Sequence, residues 1–167
     1  MKKSLIEILT RQFPEACASI RGSRKFSDIR GCVYFYEVED GVLVLAQVMG
    51  LPYTKEECKN EIFAFHIHEG KRCTGTREDP FSDTKAHYNP DNCTHPNHEG
   101  DLPPLFGNHG FALSCFYTEN FEIDDIIGKT IIIHQNPDDF TTQPSGNAGT
   151  KIACGEIRKV SERISYK

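Results

Sequence analysis

The chain lacks several features that mark large classes of proteins. No apolar run approaches the roughly 20 residues needed to cross a bilayer, so we expect no association with a membrane. Basic residues are not in excess, and a net charge of −5 argues against a nucleic-acid binder, which normally has a basic face. Internal repeats and low-complexity tracts are also missing. What is left is an ordinary globular protein, and 167 residues are enough for one domain with a sizeable core.

An export signal is not evident at the N-terminus. Residues 1–4 could mimic the charged region of a signal peptide, but Glu7 and Arg11 interrupt the apolar stretch that should follow. The spacing of Ser4 and Glu7 instead fits a capping box, at the start of a short amphipathic helix that Pro14 ends. The apolar side of this helix is predicted to contain Leu5, Ile6, Ile8 and Leu9. We therefore predict a helical extension over residues 1–15 and a cytoplasmic protein.

The cysteine content does not suggest a disulfide scaffold. Seven cysteines are an odd number for a secreted protein of that kind. In a cytosolic chain most of them should be reduced, so any structural disulfide would have to be buried and unusually stable. A free cysteine usually packs as a small buried hydrophobic residue. That is the expectation for Cys17, Cys32, Cys58 and Cys115.

Short segments with a period of two dominate the chain, which is typical of β-strands. They cover residues 16–21, 31–39, 42–49, 63–70, 111–117, 130–135 and 151–158. The Asp40-Gly41 pair predicts a hairpin turn with positive φ. Two irregular segments interrupt the pattern: residues 70–110, with five of the nine prolines, and residues 136–150. Since loops this long are usually functional or disordered, we predict an antiparallel sandwich or barrel with two functional loops.

The strand predicted over residues 63–70 carries two histidines, His66 and His68, on one face. Alternation places them opposite the apolar residues Phe63, Phe65 and Ile67. Two adjacent imidazoles on a rigid element suit a single metal ion. The pair alone is also compatible with solvent-facing histidines on an edge strand. Further histidines downstream favour the metal site, since all seven lie between His66 and His134.

Several motifs around these histidines match a known family. They are Phe65-His66-Ile67-His68-Glu69, His87-Tyr88-Asn89-Pro90, His98-Glu99-Gly100-Asp101-Leu102, Ile133-His134 with Asp138-Asp139, and residues 146–155. Together they resemble the metal-binding strands, the zinc loop and the closing segment of the copper/zinc superoxide dismutase family, in its bacterial type. The likeness runs from about residue 29 to residue 157, and residues 1–15 lie outside it.

The resemblance implies a fold and two metal sites. The fold would be all-β, an eight-stranded antiparallel Greek-key barrel or sandwich formed by residues 16–167. The copper ligands would be His66, His68, His87 and His134. The zinc ligands would be His87, His95, His98 and Asp101, so the His87 imidazole would bridge the two ions. Imidazole suits copper in both oxidation states, and a tetrahedral site of three histidines and one carboxylate suits zinc.

The resemblance also implies roles for residues around the metals. Asp138 would accept hydrogen bonds from His66 and His95 and so orient both ligands. Cys73 and Cys154 would form a disulfide that ties the long loop to the last strand.

The implied activity is the dismutation of superoxide, with the superoxide anion as substrate. His87 would shuttle a proton, and Lys151 would attract the anion. The family usually has an arginine where Lys151 stands, and exchanging arginine for lysine is not neutral. Residues 136–150 also lack the positive charges often found there, which puts the rate in question more than the reaction.

Two other functions are compatible with the same motifs. One is a copper- and zinc-binding relative with weak or no turnover, which stores or delivers metal. The other is a zinc-only structural protein. The presence of His134 and Asp138 favours the enzyme, because non-catalytic relatives often lose such residues. The resemblance leaves open a homodimer and a copper donor as partners.

The zinc side of the site leaves one ligand open. Only two residues separate His95 from His98, whereas the family's loop is usually longer there, and a solvated loop histidine is the alternative for His95. Cys93 is a rival ligand, because thiolate suits zinc. His109 is interpreted as a turn residue, and the Asp124-Asp125 pair as a solvated surface turn.

Overall fold

The structure is a computed structural model, and it describes residues 4–56 and 61–161. Its eight strands are β1 Ala16–Gly22, β2 Arg30–Val38, β3 Gly41–Met49, β4 Ile62–His68, β5 Asp101–Phe106, β6 Phe111–Thr118, β7 Thr130–His134 and β8 Lys151–Lys159. Its two α-helices are α1 Leu5–Arg11 and α2 Ile123–Ile126. Neither helix within these ranges has the length and apolar character required to cross a bilayer.

The strands form a nearly closed antiparallel barrel. Hydrogen-bonded neighbours follow the order β5-β4-β7-β8-β1-β2-β3-β6, and the terminal strands β5 and β6 contact each other. Strand β3 pairs with β6 rather than with β4, and β4 pairs with β7, which is the crossed connectivity of a Greek key. The eight-stranded Greek-key barrel implied by the resemblance is therefore confirmed.

The barrel interior is filled by alternate residues of every strand. Phe35 on β2, Phe65 on β4 and Leu105 on β5 are fully buried there, as are Ile131 and Ile133 on β7. Such alternation gives each strand a core face and an outer face. The hairpin turn between β2 and β3 forms as predicted, with Asp40 at φ 68°.

Strand β5 lies inside the segment for which we predicted almost no strand. Its Pro103 and Pro104 hide the strand pattern, because proline cannot donate to a β-ladder. The strand forms nevertheless because it is at the end of the sheet and pairs only with β4. Leu102 and Leu105 still point into the core.

Helix α1 packs on the outer face of the barrel rather than inside it. Glu7 N–H donates to Ser4 Oγ at 3.2 Å, which is one of the two hydrogen bonds of the predicted capping box. Ile8 is buried against Tyr36 and Leu43. The predicted apolar side is only partly right, because Leu5 and Ile6 are 47% and 75% exposed. A helix of two turns on a convex surface contacts it along one narrow stripe.

Two smaller predictions also need correction. The Asp124-Asp125 pair is exposed as expected, but it lies in helix α2, where Asp125 Oδ2 accepts from Glu122 N–H at 3.0 Å. Cys115 is exposed rather than buried, because it belongs to the outward-facing row of β6. Cys17 and Cys32 are half-buried, and Cys58 lies outside the described residues.

Candidate metal centre

Adjacent strands bring three histidines together on the outer side of the barrel. His66 and His68 follow each other on β4, and the pairing of β4 with β7 places Ile132 opposite His66. His134 ends β7. His87 joins them from the long loop, through a single β-bridge to His68. One ligand atom from each of these four histidines lies within 4.8 Å of the others, and all four residues are buried.

Hydrogen bonds decide which ring nitrogen of each histidine is free. His66 Nε2 donates to Asp138 Oδ2 at 2.7 Å, which leaves Nδ1 buried and without a hydrogen-bond partner. His68 Nδ1 lies 2.9 Å from the backbone oxygen of Lys85, and His134 Nδ1 lies 3.2 Å from that of Gly149. The remaining Nε2 atoms of His68 and His134 lie 3.3 Å apart. The free nitrogens therefore converge, and the backbone oxygens select the tautomers that allow it.

A second group is formed by His87 with two residues of the long loop and the first residue of β5. His95, His98 and Asp101 join His87, again with one ligand atom each within 4.8 Å of the others. Asp101 is at its centre, with Oδ1 2.7 Å from His87 Nδ1, and with Oδ2 3.0 Å from His95 Nδ1 and 3.1 Å from His98 Nδ1. Three imidazoles and one carboxylate around a point are a donor set that suits zinc.

His87 belongs to both groups, and its two ring nitrogens face different ways. Nδ1 is directed at Asp101, whereas Nε2 is buried and has no hydrogen-bond partner. His95 Nδ1 is likewise buried without one, since its 3.0 Å approach to Asp101 does not have hydrogen-bond geometry. Buried polar atoms are rarely left unpaired. Unpaired nitrogens on His66, His87 and His95, all within the two groups, fit sites made for cations.

Asp138 connects the two groups from behind. Its Oδ2 accepts from His66 at 2.7 Å and its Oδ1 accepts from His95 Nε2 at 2.9 Å. Oδ1 also accepts from Phe140 N–H at 2.7 Å. One carboxylate thus fixes the ring orientation of a member of each group.

Burial and hydrogen bonds favour the neutral forms of His66, His68 and His134 and the ionised form of Asp138. Burial, with a contribution from His66, lowers the pKa of His134 to about 3, and burial also lowers the pKa of His68 and of His66. Burial raises the pKa of Asp138, but hydrogen bonds from His66, Phe140 N–H and His95 outweigh it and lower the pKa overall. Neutral imidazole and ionised carboxylate are the forms that bind metal ions.

Lys151 lies at the start of β8, opposite His134 in the ladder. Its Nζ donates to the backbone oxygens of Phe81 and Lys85, both at 3.3 Å, and lies 3.9 Å from Asp79 Oδ2. Burial lowers the pKa of this ammonium group. Among the described residues, Asp79 is the ion-pair partner of Lys151, and its side chain is 48% exposed.

Of the remaining predicted residues, two form a disulfide and two lie outside both histidine groups. Cys73 and Cys154 form a disulfide. Cys93 is exposed, with its backbone held by the Asn89 side chain, and belongs to neither histidine group. His109 has φ 49° and stacks edge-on to Tyr53, in a turn as predicted and outside both groups.

Three contributors to the site were not foreseen from the sequence. Lys85 and Gly149 act through backbone oxygens, which leave no mark on residue type. Gln143 contacts the backbone of His95 from the second loop. A glutamine in a polar loop gives no signal of such a contact.

Comparison with known proteins agrees with this geometry. A family model described as copper/zinc superoxide dismutase matches residues 29–157. Superoxide dismutase (Cu-Zn) 2 of Aquifex aeolicus is 34% identical over 146 residues, which cover 78% of this chain and 80% of that protein. The superoxide dismutase (Cu-Zn) of Schizosaccharomyces pombe is 32% identical over 160 residues, or 85% of this chain and 96% of its own. An extracellular superoxide dismutase (Cu-Zn) of Drosophila melanogaster is 32% identical over 149 residues, covering 78% and 76% of the two chains.

The family match spans every residue of the two histidine groups together with Asp138, Lys151 and the disulfide. The relatives extend over most of their own length as well as of this chain. On these grounds, the chain belongs to the copper/zinc superoxide dismutase family.

Proposed function

We propose that the protein is a superoxide dismutase, which converts superoxide to oxygen and hydrogen peroxide with copper and zinc as cofactors. The observation that carries the proposal is the pair of four-residue groups that share His87 and whose histidines are all buried. A shared imidazole with one nitrogen toward each group suits an imidazolate between two cations, because neighbouring positive charges favour loss of the second ring proton.

The free ring nitrogens suggest how the ions would be held. Copper would be bound by Nδ1 of His66 and by Nε2 of the other three, namely His68, His87 and His134. Zinc would be bound by Nδ1 of His87, His95 and His98 and by Asp101. When bound, copper supplies one-electron redox chemistry, by which one superoxide is oxidised and a second, with two protons, is reduced, while zinc has a structural role.

Residues of the chain would transfer a proton, attract the substrate anion and orient the metal ligands. His87 is suited to carry a proton at Nε2 whenever that nitrogen is not bound to copper, because it has no hydrogen-bond partner in the protein while Nδ1 is directed at Asp101. Lys151 would attract the superoxide anion, since its ammonium is fixed beside the β7 histidine. Asp138 would orient His66 and His95.

A His134→Ala variant tests the proposal. We expect the full-length protein, loaded with copper and zinc, to clear superoxide far faster than free copper, and the variant to lose this advantage while it retains zinc. The matched control is His109→Asn, which removes a histidine outside both groups and keeps a residue tolerant of positive φ. If wild type clears superoxide no faster than free copper, or if His134→Ala leaves the clearance unchanged, only metal storage or delivery remains as the function. If no copper(II) absorption band appears after loading, only the zinc-binding structural protein remains.

The boundaries and surroundings of the enzyme are further proposals. We propose residues 16–167 as the dismutase domain, with residues 1–15 as an extension. A cytoplasmic location is supported by the free thiols of Cys17, Cys32, Cys93 and Cys115 among the described residues, since unpaired cysteines suit a reducing compartment. A homodimer and a copper donor remain predictions.

A further inference from the structure

His95 receives unusual support from outside its own loop. Its backbone N–H donates to Gln143 Oε1 at 3.0 Å, and its backbone oxygen accepts from Gln143 Nε2 at 2.6 Å. One side-chain amide therefore satisfies both backbone polar groups of a single residue, 48 positions away in the sequence. A paired contact of this kind restricts the orientation of the backbone more than either hydrogen bond alone.

The loop that carries Gln143 is itself closed by hydrogen bonds. Asp139 N–H donates to the oxygen of Gly146 at 2.9 Å, and Gly146 N–H donates to that of Thr142 at 2.7 Å. The Asp139 carboxylate accepts from the backbone N–H groups of Thr141 and Thr142 at 2.9 and 2.8 Å. Although the Gln143 residue is exposed, its backbone is fixed, so less entropy is lost when its amide engages His95.

Two residues of this loop, Asp138 and Gln143, form hydrogen bonds with His95, but they differ in which histidine groups they contact. Asp138 contacts the His95 ring and also the His66 ring, so it serves both histidine groups. The Gln143 amide contacts His95, a member of the group around Asp101 only. Removing the two contacts should therefore affect the two metal sites differently.

The spacing of the ligands explains why such support is needed. Only Pro96 and Asn97 lie between His95 and His98, so the local loop is short. Its internal backbone bond is from Asn97 N–H to Thr94 oxygen at 2.9 Å, which does not involve His95. The orientation of the His95 backbone, and with it the direction of Nδ1 toward Asp101, is therefore fixed from the other loop.

We propose that Gln143 is a positioning residue for zinc, acting through the backbone of His95. The proposal rests on the zinc assignment made above. Groups that orient metal ligands typically change metal affinity by about 10- to 100-fold when they are removed. Because Gln143 is at the surface, the lower end of that range is expected.

The test is the affinity of the copper-loaded, full-length protein for zinc, measured by competition with a chromophoric chelator. We expect Gln143→Ala to bind zinc about tenfold more weakly than wild type, with copper affinity changed less than twofold. Gln143→Glu has the same shape but places an oxygen against the His95 carbonyl oxygen, so it should weaken zinc binding at least as much. Gln47→Ala, an exposed glutamine on β3, is the control and should change neither affinity.

Asp138→Asn separates positioning from general damage to the loop. It should weaken the binding of both metals, because the amide nitrogen of asparagine cannot accept a hydrogen bond from one of the two rings, and the neutral amide oxygen is a weaker acceptor than a carboxylate oxygen for the other. With cobalt(II) as a spectroscopic substitute for zinc, Gln143→Ala and Gln143→Glu should shift the visible absorption bands, which report ligand geometry.

Several outcomes would overturn the inference, and they differ from failure of the proposed function. If both Gln143 variants bind zinc as wild type does, or lose zinc and copper equally, Gln143 is not a positioning residue for zinc. A lower melting temperature of the metal-free variants with unchanged zinc affinity would show a structural role only. If wild type binds no zinc, the zinc assignment itself fails.

Discussion

The ammonium nitrogen of Lys151 lies 3.3 Å from the backbone oxygen of Lys85, the same oxygen that lies 2.9 Å from His68 Nδ1. One carbonyl therefore fixes both a candidate copper ligand and the cation beside it. The Lys85 backbone reaches this position with φ 62° and ψ −147°, a conformation that few residues other than glycine adopt. Such strain at a non-glycine residue is typical of functional sites.

Replacing Lys151 by glutamine should slow the reaction without removing the metals. The variant loses the positive charge that attracts the anion, in a protein with a net charge of −5. We expect the second-order rate constant to fall about tenfold at low ionic strength, and the difference to shrink as salt is added. Lys151→Arg should keep most of the rate.

The matched control for this experiment is Lys159→Gln, on the same strand but in an exposed ion pair with Asp124 at 3.3 Å. It removes the same charge at a distance from the histidines, so its rate and salt dependence should stay near those of wild type. Equal effects of the two substitutions would show that net charge matters and the position of Lys151 does not.

The period-two pattern of the sequence predicted seven of the eight strands, and the resemblance to the family predicted the Greek-key connectivity. Strand β5 was missed since Pro103 and Pro104 break that alternation, and only the position of the strand at the end of the sheet makes them tolerable. The helix α1 stripe was overestimated because sequence periodicity gives a helix face but not the shape of the surface beneath it. Local sequence patterns predict local structure. The missed strand β5 and the overestimated apolar side of α1 were both determined by contacts between residues distant in sequence.

The candidate ligands were predictable for a different reason. Histidine and aspartate side chains are common metal ligands, so His95 and Asp101 could be proposed from residue type and motif although the loop between His95 and His98 is short. The same approach cannot identify Lys85 or Gly149, whose contribution is a backbone oxygen. It also cannot choose between the two nitrogens of each ring, because that choice is made by hydrogen bonds between segments far apart in the chain.

Breaking the disulfide between Cys73 and Cys154 should destabilise the protein substantially. The two cysteines are 81 residues apart, so their bond removes much entropy from the unfolded chain. We expect Cys73→Ser to lower the free energy of unfolding by about 2–5 kcal/mol, measured by chemical denaturation of the metal-free protein. Wild type in reductant should unfold at the same denaturant concentration as the variant.

Cys115→Ser is the control for this substitution, because Cys115 is a free and exposed cysteine. Its free energy of unfolding should match that of wild type. The disulfide also packs with Phe81, whose backbone oxygen accepts from Lys151. Cys73→Ser should therefore lower the superoxide rate as well, whereas an unchanged rate would show that the long loop keeps its conformation without the disulfide.

Adding a methyl group at Gly146 should disturb the contact of Asp138 with the histidines. Gly146 has φ 65°, and a Cβ atom there would collide with Asp138 Oδ1 and lie 2.7 Å from His95 Nε2. Gly128 has φ 80°, but a Cβ atom at that residue would meet nothing within 4 Å. Gly128→Ala therefore introduces backbone strain from the positive φ without a steric collision. We expect Gly128→Ala to cost about 1–2 kcal/mol, and Gly146→Ala to cost more.

The difference between the two glycine variants isolates the steric effect on the site. Only Gly146→Ala should weaken the retention of both copper and zinc, as judged by metal analysis after dialysis against a chelator. If the two variants lose equal stability and retain metal equally, the close approach of Gly146 to Asp138 has no part in fixing the ligands.

Helix α1 should stabilise the barrel without affecting the reaction. Ile8 is buried against Tyr36 and Leu43 on the outer face, so Ile8→Ala removes apolar contacts and should lower the free energy of unfolding by about 2–3 kcal/mol. Ile6, two residues before Ile8 and 75% exposed, gives the matched substitution Ile6→Ala, which should change stability by less than about 0.5 kcal/mol. The superoxide rate of both variants should equal that of wild type, because the histidine groups lie on β4, β5, β7 and the long loop, and none of their members belongs to this cluster. A rate that falls with Ile8→Ala would mean that residues 1–15 are part of the dismutase unit rather than an extension of it.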